Sequence, residues 1–151
     1  MLAQDNKFPA EFAKRWTATR KLSVGVAEAM PPGEYPFKPD PPSMTFGEQM
    51  AHLAWANYAF CAALHDQKIP QIADPKEKPG FVRLVADSFD YCSTQIASVT
   101  DAQMNSTHST PDGTLNGRAL LLALYVHLAH HRGQAEIYLR IKGIKPPAYV
   151  F

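Results

Sequence analysis

Two histidines four residues apart lie in a long apolar segment near the C-terminal end of the chain. Residues 127–134 read HLAHHRGQ, so His127 and His131 occupy positions i and i+4, which share one face of a helix. Two imidazoles with this spacing can bind one metal ion. A third imidazole, His52, lies in the middle of another predicted helix, on an inward stripe of small and apolar residues that includes Trp55. The sequence therefore predicts a three-histidine metal site formed by His52, His127 and His131.

The remaining histidines are weaker candidates. His130 also lies within one turn of His127, but it is about 100° away from His131 around the helix axis. We expect His65, near a helix end, and His108, among serines and threonines, to face solvent. A single inward histidine is often a neutral core residue bonded to a carbonyl group, so a metal-free bundle is an open alternative. Three buried imidazoles each need polar partners, however, and one divalent ion satisfies all of them.

Four helical segments are predicted, at about residues 9–30, 45–64, 80–99 and 114–142. Each has apolar residues at helical spacing, and no stretch alternates as a half-buried strand would. Segment 31–42 contains six prolines, which exclude a helix and favour an extended connection along a bundle. We predict an all-α fold, a four-helix bundle with long proline-rich crossover connections.

Local signals mark helix ends and a possible subunit contact. Thr45 and Glu48 have capping-box spacing at the start of the second helix, and Gly143 follows the fourth helix, as a glycine just beyond a helix end often does. The fourth helix also has a second apolar face, in line with His130. That face could pack against another helix of the bundle or against a second subunit, and we favour a homodimer.

Length and composition fit one globular domain over residues 1–151. Hydrophobic residues make up 46% of the chain and charged residues 19%, and no apolar run reaches the roughly 20 residues needed to cross a membrane. A net charge of +1 argues against a nucleic-acid partner. The N-terminus lacks a signal-peptide pattern, so we expect a cytoplasmic location, with Cys61 and Cys92 as buried, reduced thiols.

The chain resembles the DinB superfamily of four-helix-bundle proteins over nearly its whole length. Four parts of the sequence carry this resemblance: Trp16 with Arg20, residues 43–53 (SMTFGEQMAHL), residues 127–134, and residues 139–149 (LRIKGIKPPAY). The resemblance implies that His52, His127 and His131 are the metal ligands and that the protein forms dimers. It also implies chemistry with a low-molecular-weight thiol, since better-understood relatives include transferases and an isomerase that use bacillithiol, mycothiol or glutathione.

A three-histidine site leaves a metal position open, which is typical of catalytic zinc sites. Zinc is the leading candidate, and nickel, copper or iron also suit imidazole ligands. Zinc lowers the pKa of a bound water to about 7 and can bind a thiol as thiolate. We expect a metal-dependent transferase or hydrolase acting on a small molecule; the alternative is a metal-stabilised binding or stress-response module without turnover. Acceptors that orient the imidazoles are expected among Gln49, Asp87, Asp90 and Tyr91.

Overall fold

A computed structural model of the protein describes residues 7–150, which are mostly helical. In chain order the elements are α1 (Phe8–Ala29), a short 3-10 helix (Pro32–Glu34), α2 (Phe46–Ala63), α3 (Lys78–Ser98), α4 (Asp101–Asn105), β1 (Thr107–Thr110), β2 (Gly113–Asn116) and α5 (Gly117–Ile141). The four predicted helices correspond to α1, α2, α3 and α5. Both α1 and α2 pack against α3 and α5. The long helices therefore surround a common core, in which the largest side chains include Trp16, Phe46, Phe60 and Phe89.

The start of α2 is fixed by its own cap and by the proline-rich segment before it. The backbone N–H of Glu48 donates to the Thr45 hydroxyl at 3.1 Å, and the backbone N–H of Thr45 donates to the Glu48 carboxylate at 2.7 Å. This is the predicted capping box. The backbone N–H of Phe46 also donates to the carbonyl oxygen of Phe37 at 2.8 Å. The proline-rich segment therefore lies against the first turn of the helix that carries the first histidine.

Glycines at both ends of α5 fix where this helix begins and ends. Asn116 caps the first turn, because its side-chain oxygen accepts the backbone N–H of Ala119 at 2.9 Å. A Cβ atom on Gly117 would lie 2.7 Å from the Cα atom of Met104, so only glycine lets α5 begin this close to α4. At the other end, Gly143 has a φ of 73°, the left-handed conformation expected of the predicted terminating glycine.

The predicted polar loop between α3 and α5 contains regular structure. The short helix α4 begins at a capping box in which the Gln103 N–H donates to the Thr100 hydroxyl at 3.2 Å. Strands β1 and β2 then form an antiparallel hairpin in which Thr107 lies opposite Asn116. The prediction that the chain has no strand is therefore wrong, as is the start of the fourth helix at residue 114. Polar strands without apolar alternation give no periodic signal in the sequence.

His108 and His65 are not solvent-facing side chains, which corrects both predictions. His108 is 1% exposed; its Nδ1 lies 3.0 Å from the Asp66 carboxylate and its Nε2 lies 2.7 Å from the Gln103 carbonyl oxygen. His65 is half-buried, with Nε2 at 2.8 Å from the Gln95 carbonyl oxygen and Nδ1 at 3.0 Å from the Gln103 side-chain amide. The two rings thus connect the hairpin and α4 to the ends of α2 and α3.

A disulfide joins Cys61 on α2 to Cys92 on α3, and both residues are fully buried. The expectation of reduced thiols is therefore wrong. The reason is the packing of α2 against α3, which brings the two Cα atoms to 5.4 Å, a separation that suits a disulfide. Each cysteine lies in an apolar helical stripe, so the sequence could not reveal that the two stripes meet at this level.

One face of α5 is apolar and open to solvent. Leu122, Val126, Ile137 and Ile141 are each more than half exposed, and no other helix of residues 7–150 covers them. This is the second apolar face expected from the sequence. Among the described helices, none is long and apolar enough to cross a membrane.

Replacing His108 with glutamine should lower the free energy of unfolding by about 1–3 kcal/mol, since a buried partner of Gln103 is lost. Burial disfavours the charged ring, but the Gln103 carbonyl and the Asp66 carboxylate outweigh it and raise the pKa of His108. A group whose pKa is higher in the folded than in the unfolded protein stabilises the fold most at a pH below its unfolded-state pKa. This stabilisation is lost as the pH rises through its folded-state pKa. Urea unfolding should therefore show a larger loss near pH 5.5 than near pH 8; equal losses would contradict a charged His108.

The disulfide should stabilise the fold by about 3–4 kcal/mol, the chain-entropy value for a cross-link that spans 31 residues. Denaturant unfolding of the wild type with and without a reductant measures this difference. A control with Cys61→Ala and Cys92→Ala should be insensitive to the reductant. A wild type whose unfolding midpoint does not change in the reductant would contradict the bridge.

Candidate metal centre

The three histidines of the predicted site lie together between α2 and α5. Each offers one ring nitrogen, and these three atoms lie within 4.8 Å of one another. The ring centroids of His52 and His127 are 4.9 Å apart, those of His52 and His131 4.4 Å, and those of His127 and His131 4.5 Å. Across residues 7–150, no other group of three or more histidine, cysteine or acidic side chains converges in this way. The structure thus brings together all three predicted residues.

Two helices and their aromatic side chains position the cluster. His127 and His131 are one turn apart on α5, and His52 projects towards them from α2. The ring of His52 stacks on Trp55, with centroids 5.8 Å apart and planes at 17°, while Phe60 lies 6.4 Å from the ring of His127. Trp55, which shares the predicted inward stripe of His52, is 37% exposed. The cluster therefore opens towards solvent on the side of Trp55.

Burial keeps the three imidazoles neutral. It lowers the pKa of His52 and, together with repulsion from a charged His52, the pKa of His127. Burial and repulsion from the neighbouring histidines lower the pKa of His131 to about 4. Near pH 7 all three rings are thus in the neutral form, which is the form that binds a metal ion.

The donor set fits a divalent ion. Nε2 of His127 is buried and has no hydrogen-bond partner within the described residues, and such an atom is costly unless something satisfies it. In a tetrahedral zinc site with Zn–N distances of about 2.0–2.1 Å, the nitrogens are about 3.4 Å apart. Nitrogens within 4.8 Å of one another can reach that spacing by small rotations of the rings.

A chain of side-chain hydrogen bonds adjoins His131. Its Nδ1 lies 2.8 Å from Oε1 of Gln49, Nε2 of Gln49 donates to Oε1 of Gln134 at 2.7 Å, and Nε2 of Gln134 donates to Nε2 of His130 at 2.7 Å. Gln49 was one of the predicted orienting residues. Gln134 belongs to the predicted histidine run, but its sequence position gave no sign of this role because its partner lies on α2. His130 is exposed and lies outside the three-histidine group.

The other predicted orienting residues lie elsewhere. Asp90 accepts two hydrogen bonds from Arg20, at 2.8 and 3.0 Å, and the ring of Tyr91 packs against Tyr58 at 5.2 Å. Within the part of the chain that the structure describes, no hydrogen bond joins Asp87, Asp90 or Tyr91 to the three histidines. All three lie on α3, which packs against α1 and α2, whereas the histidines belong to α2 and α5.

A cleft begins at His52 and is open to solvent. Its walls come from the proline-rich segment and the outer side of α2, and include Lys38, Pro41, Met44, Ala51 and Trp55. Apolar side chains thus line much of the approach to His52, together with the ammonium group of Lys38, the carboxylate of Glu48 and the hydroxyl of Ser43. A small molecule can reach the histidine cluster along this route.

Comparisons with known proteins agree with this architecture. The family model described as the DinB superfamily matches residues 15–135. Similar solved structures include a DinB-like protein from Bacillus subtilis (20% identity, TM-score 0.78, 92% of this chain and 96% of that one) and a DinB-like protein from Bacillus cereus (16% identity, TM-score 0.79, 93% and 95%). At these identities the likeness shows the fold. No protein of curated function matches the sequence. Because the family model covers most of the chain, including all three clustered histidines, the chain belongs to the DinB superfamily.

Proposed function

We propose that this protein binds a divalent transition-metal ion through His52, His127 and His131 and acts as a metal-dependent enzyme of the transferase or hydrolase type. The observation that carries the proposal is the convergence of three neutral imidazoles within 4.8 Å at the end of an open cleft. Zinc is the first candidate, with nickel and iron next, because imidazole suits all of these ions. The resemblance to DinB proteins supports the same ligand set.

Three histidines alone would leave a bound ion with room for a further ligand. No carboxylate or thiolate joins the histidines within residues 7–150, and a three-ligand set with an open position is typical of catalytic zinc. When bound, zinc supplies Lewis-acid chemistry by lowering the pKa of a water or thiol that takes that position. The part of the protein is to keep the imidazoles neutral, to orient them, and to shield their inner side with Phe60.

The cleft supports a small-molecule substrate and, by resemblance, a low-molecular-weight thiol as its co-substrate. Trp55 and Met44 are large apolar side chains that remain partly exposed, and covering them with an apolar part of a ligand is favourable. Lys38 and Glu48 place one positive and one negative charge at the same cleft, so polar groups of a ligand can find partners there. These features favour an amphipathic molecule over a purely polar one.

A metal-stabilised binding or stress-response module without turnover is the second candidate. The ligands come from α2 and α5, so a bound ion would add a further link between two helices that already pack together, and would stabilise the fold. The two roles differ in the state of the open position. A cobalt-substituted protein whose spectrum changes on addition of a thiol favours the enzyme, whereas an unresponsive spectrum favours the module.

The proline-rich segments fit the connections of a four-helix bundle. Because α1 and α2 each pack against α3 and α5, they occupy opposite corners, and we propose that segment 31–42 crosses the end of the bundle between them. This connection also carries Lys38 and Pro41 to the cleft beside His52. The crossover thus contributes to the site.

Metal analysis of protein purified without a histidine tag tests the proposed function. After incubation with zinc we expect about one ion per chain in the wild type. The His127→Ala variant should bind more than about 100-fold more weakly, since even the loss of a residue that only orients a ligand costs about 10–100-fold. The matched control, His65→Ala, removes a histidine that bonds to Gln95 and Gln103 away from the cluster, and it should stay within about threefold of the wild type. Equal losses in both variants would contradict the ligand assignment, and a wild type that binds no metal would remove the proposed function.

We also propose that the exposed face of α5 is covered by the same face of a second copy. Its exposed members Leu122, Val126, Ile137 and Ile141 recur along nearly the whole helix and carry no charge, so two copies related by a twofold axis can bury them mutually. Two pairs of exposed large apolar side chains, separated by Ala129, His130 and Gly133, thus lie on this face of α5, and exposed apolar patches mark protein contacts.

Replacing Val126 and Ile137 with glutamate should convert a dimer to a monomer, because the charges would have to be buried in the contact. Light scattering at micromolar concentration measures the mass. The control Ile69→Glu changes an exposed apolar residue outside α5 and should remain dimeric. A monomeric wild type in the same experiment would rule out the dimer.

A further inference from the structure

We infer that Gln49 is a positioning residue that holds His131 with Nδ1 protonated and Nε2 directed to the metal. Gln134 and His130 continue the series of hydrogen bonds that orients the amide of Gln49. The inference rests on the proposed function, because it concerns how the apo protein prepares one ligand for the ion. It assigns roles to three side chains outside the three-histidine group. Their contacts run from His131 to the surface of α5.

The direction of each hydrogen bond follows from the chemistry of its ends. A glutamine amide nitrogen only donates and its oxygen only accepts. Gln49 Nε2 donates to Gln134 Oε1 at 2.7 Å, which leaves Gln49 Oε1 as the atom that faces Nδ1 of His131 at 2.8 Å. Since that oxygen accepts, Nδ1 of His131 must carry the proton. In a neutral ring the lone pair is then on Nε2, where a metal can bind it.

The hydrogen bond between Gln134 and His130 runs in the same direction, from donor to acceptor, along this series. Nε2 of Gln134 donates to Nε2 of His130 at 2.7 Å, so the His130 nitrogen accepts. Turning over one amide alone would place two donors or two acceptors against each other between Gln49 and Gln134. Turning over both would reverse every hydrogen bond and put the proton of His131 on Nε2, the nitrogen that a metal needs free. The orientations of the two amides therefore support each other, and hydrogen bonds aligned in one direction reinforce one another.

Burial makes this arrangement costly to break. Gln49 is 2% exposed, so water cannot readily replace Gln134 or His131 as its partner, and a buried amide left unpaired is unfavourable. Its backbone is also fixed, because Gln49 lies in the first turn of α2 and its N–H donates to the Thr45 carbonyl oxygen at 2.9 Å. The buried side chain of Gln49, held on the first turn of α2, therefore fixes the orientation of the His131 ring.

A second contact between the same two regions supports the alignment. The hydroxyl of Tyr138, which lies on α5 about two turns beyond His131, donates to the carbonyl oxygen of Met44 at 3.0 Å. Met44 immediately precedes the Thr45 cap of α2. The axial position of α5 relative to the start of α2 is therefore set by three hydrogen bonds: Tyr138 to Met44, Gln49 to Gln134, and His131 to Gln49.

The experiment compares Gln49→Ala and Gln49→Glu with the control Asn57→Ala. Gln49→Ala removes the acceptor and should weaken zinc binding by about 10–100-fold. Gln49→Glu keeps an oxygen that accepts from His131 and should stay within about threefold of the wild type. Asn57 is another fully buried amide on α2, bonded to Ser88 at 2.9 Å and away from the histidines, so its loss should lower stability but leave zinc affinity unchanged.

Two readouts separate the possible failures. Zinc affinity is measured by competition with a chelator, and the tautomer of His131 in the apo protein by nitrogen-15 NMR of the imidazole ring. We expect a proton on Nδ1 in the wild type and in Gln49→Glu, and loss of this preference in Gln49→Ala. Wild-type zinc affinity in Gln49→Ala, or a proton on Nε2 in the wild type, would overturn the positioning role while leaving the metal site intact. A wild type that binds no zinc would instead overturn the proposed function and the inference with it.

Discussion

The packing of α2 against α5 is the constraint on which the candidate site depends. His52 is on α2, and His127 and His131 are on α5. The ring nitrogens therefore converge only if the two helices keep one axial register relative to each other. A slip of one helical turn would displace them by about 5.4 Å, more than the 4.8 Å within which the three nitrogens lie. Apolar packing alone defines the axial register of two helices only loosely. The hydrogen bond between Gln49 and Gln134 sets it more sharply, since its geometry tolerates only small shifts.

The same reasoning explains what could be predicted from the sequence. Helical periodicity and the capping box at Thr45 are local properties, and they located the long helices and their histidines to within a few residues. The i, i+4 spacing on α5 placed His127 and His131 on one face and left His130 outside the group, as the structure also has it. The small neighbours of His52 indicated that it faces the interior of the bundle. Trp55, assigned to the same interior stripe, is partly exposed.

Features that depend on partners distant in sequence could not be predicted. His108 looked solvent-exposed because its neighbours are serines and threonines, but its burial comes from Asp66 and Gln103, which belong to other elements. The Cys61–Cys92 bridge depends on the level of α3 against α2, and no residue near either cysteine indicates that level. Gln134 acts through a partner 85 positions away. In each case the local sequence was compatible with several environments, and tertiary packing selected one.

The partial burial of the three imidazoles is a compromise between two requirements. Deep burial favours the neutral, metal-binding form of the rings, as the low pKa of His131 illustrates, but a fully enclosed cluster would exclude a substrate. The structure combines both conditions by placing Phe60 behind the cluster and an open cleft in front of it. Gln49, which bonds to His131, lies on the buried side and is 2% exposed, so water has little access to that hydrogen bond. The side of the cluster at Phe60 and Gln49 is therefore buried and held in place, whereas the side at the cleft is open to ligands.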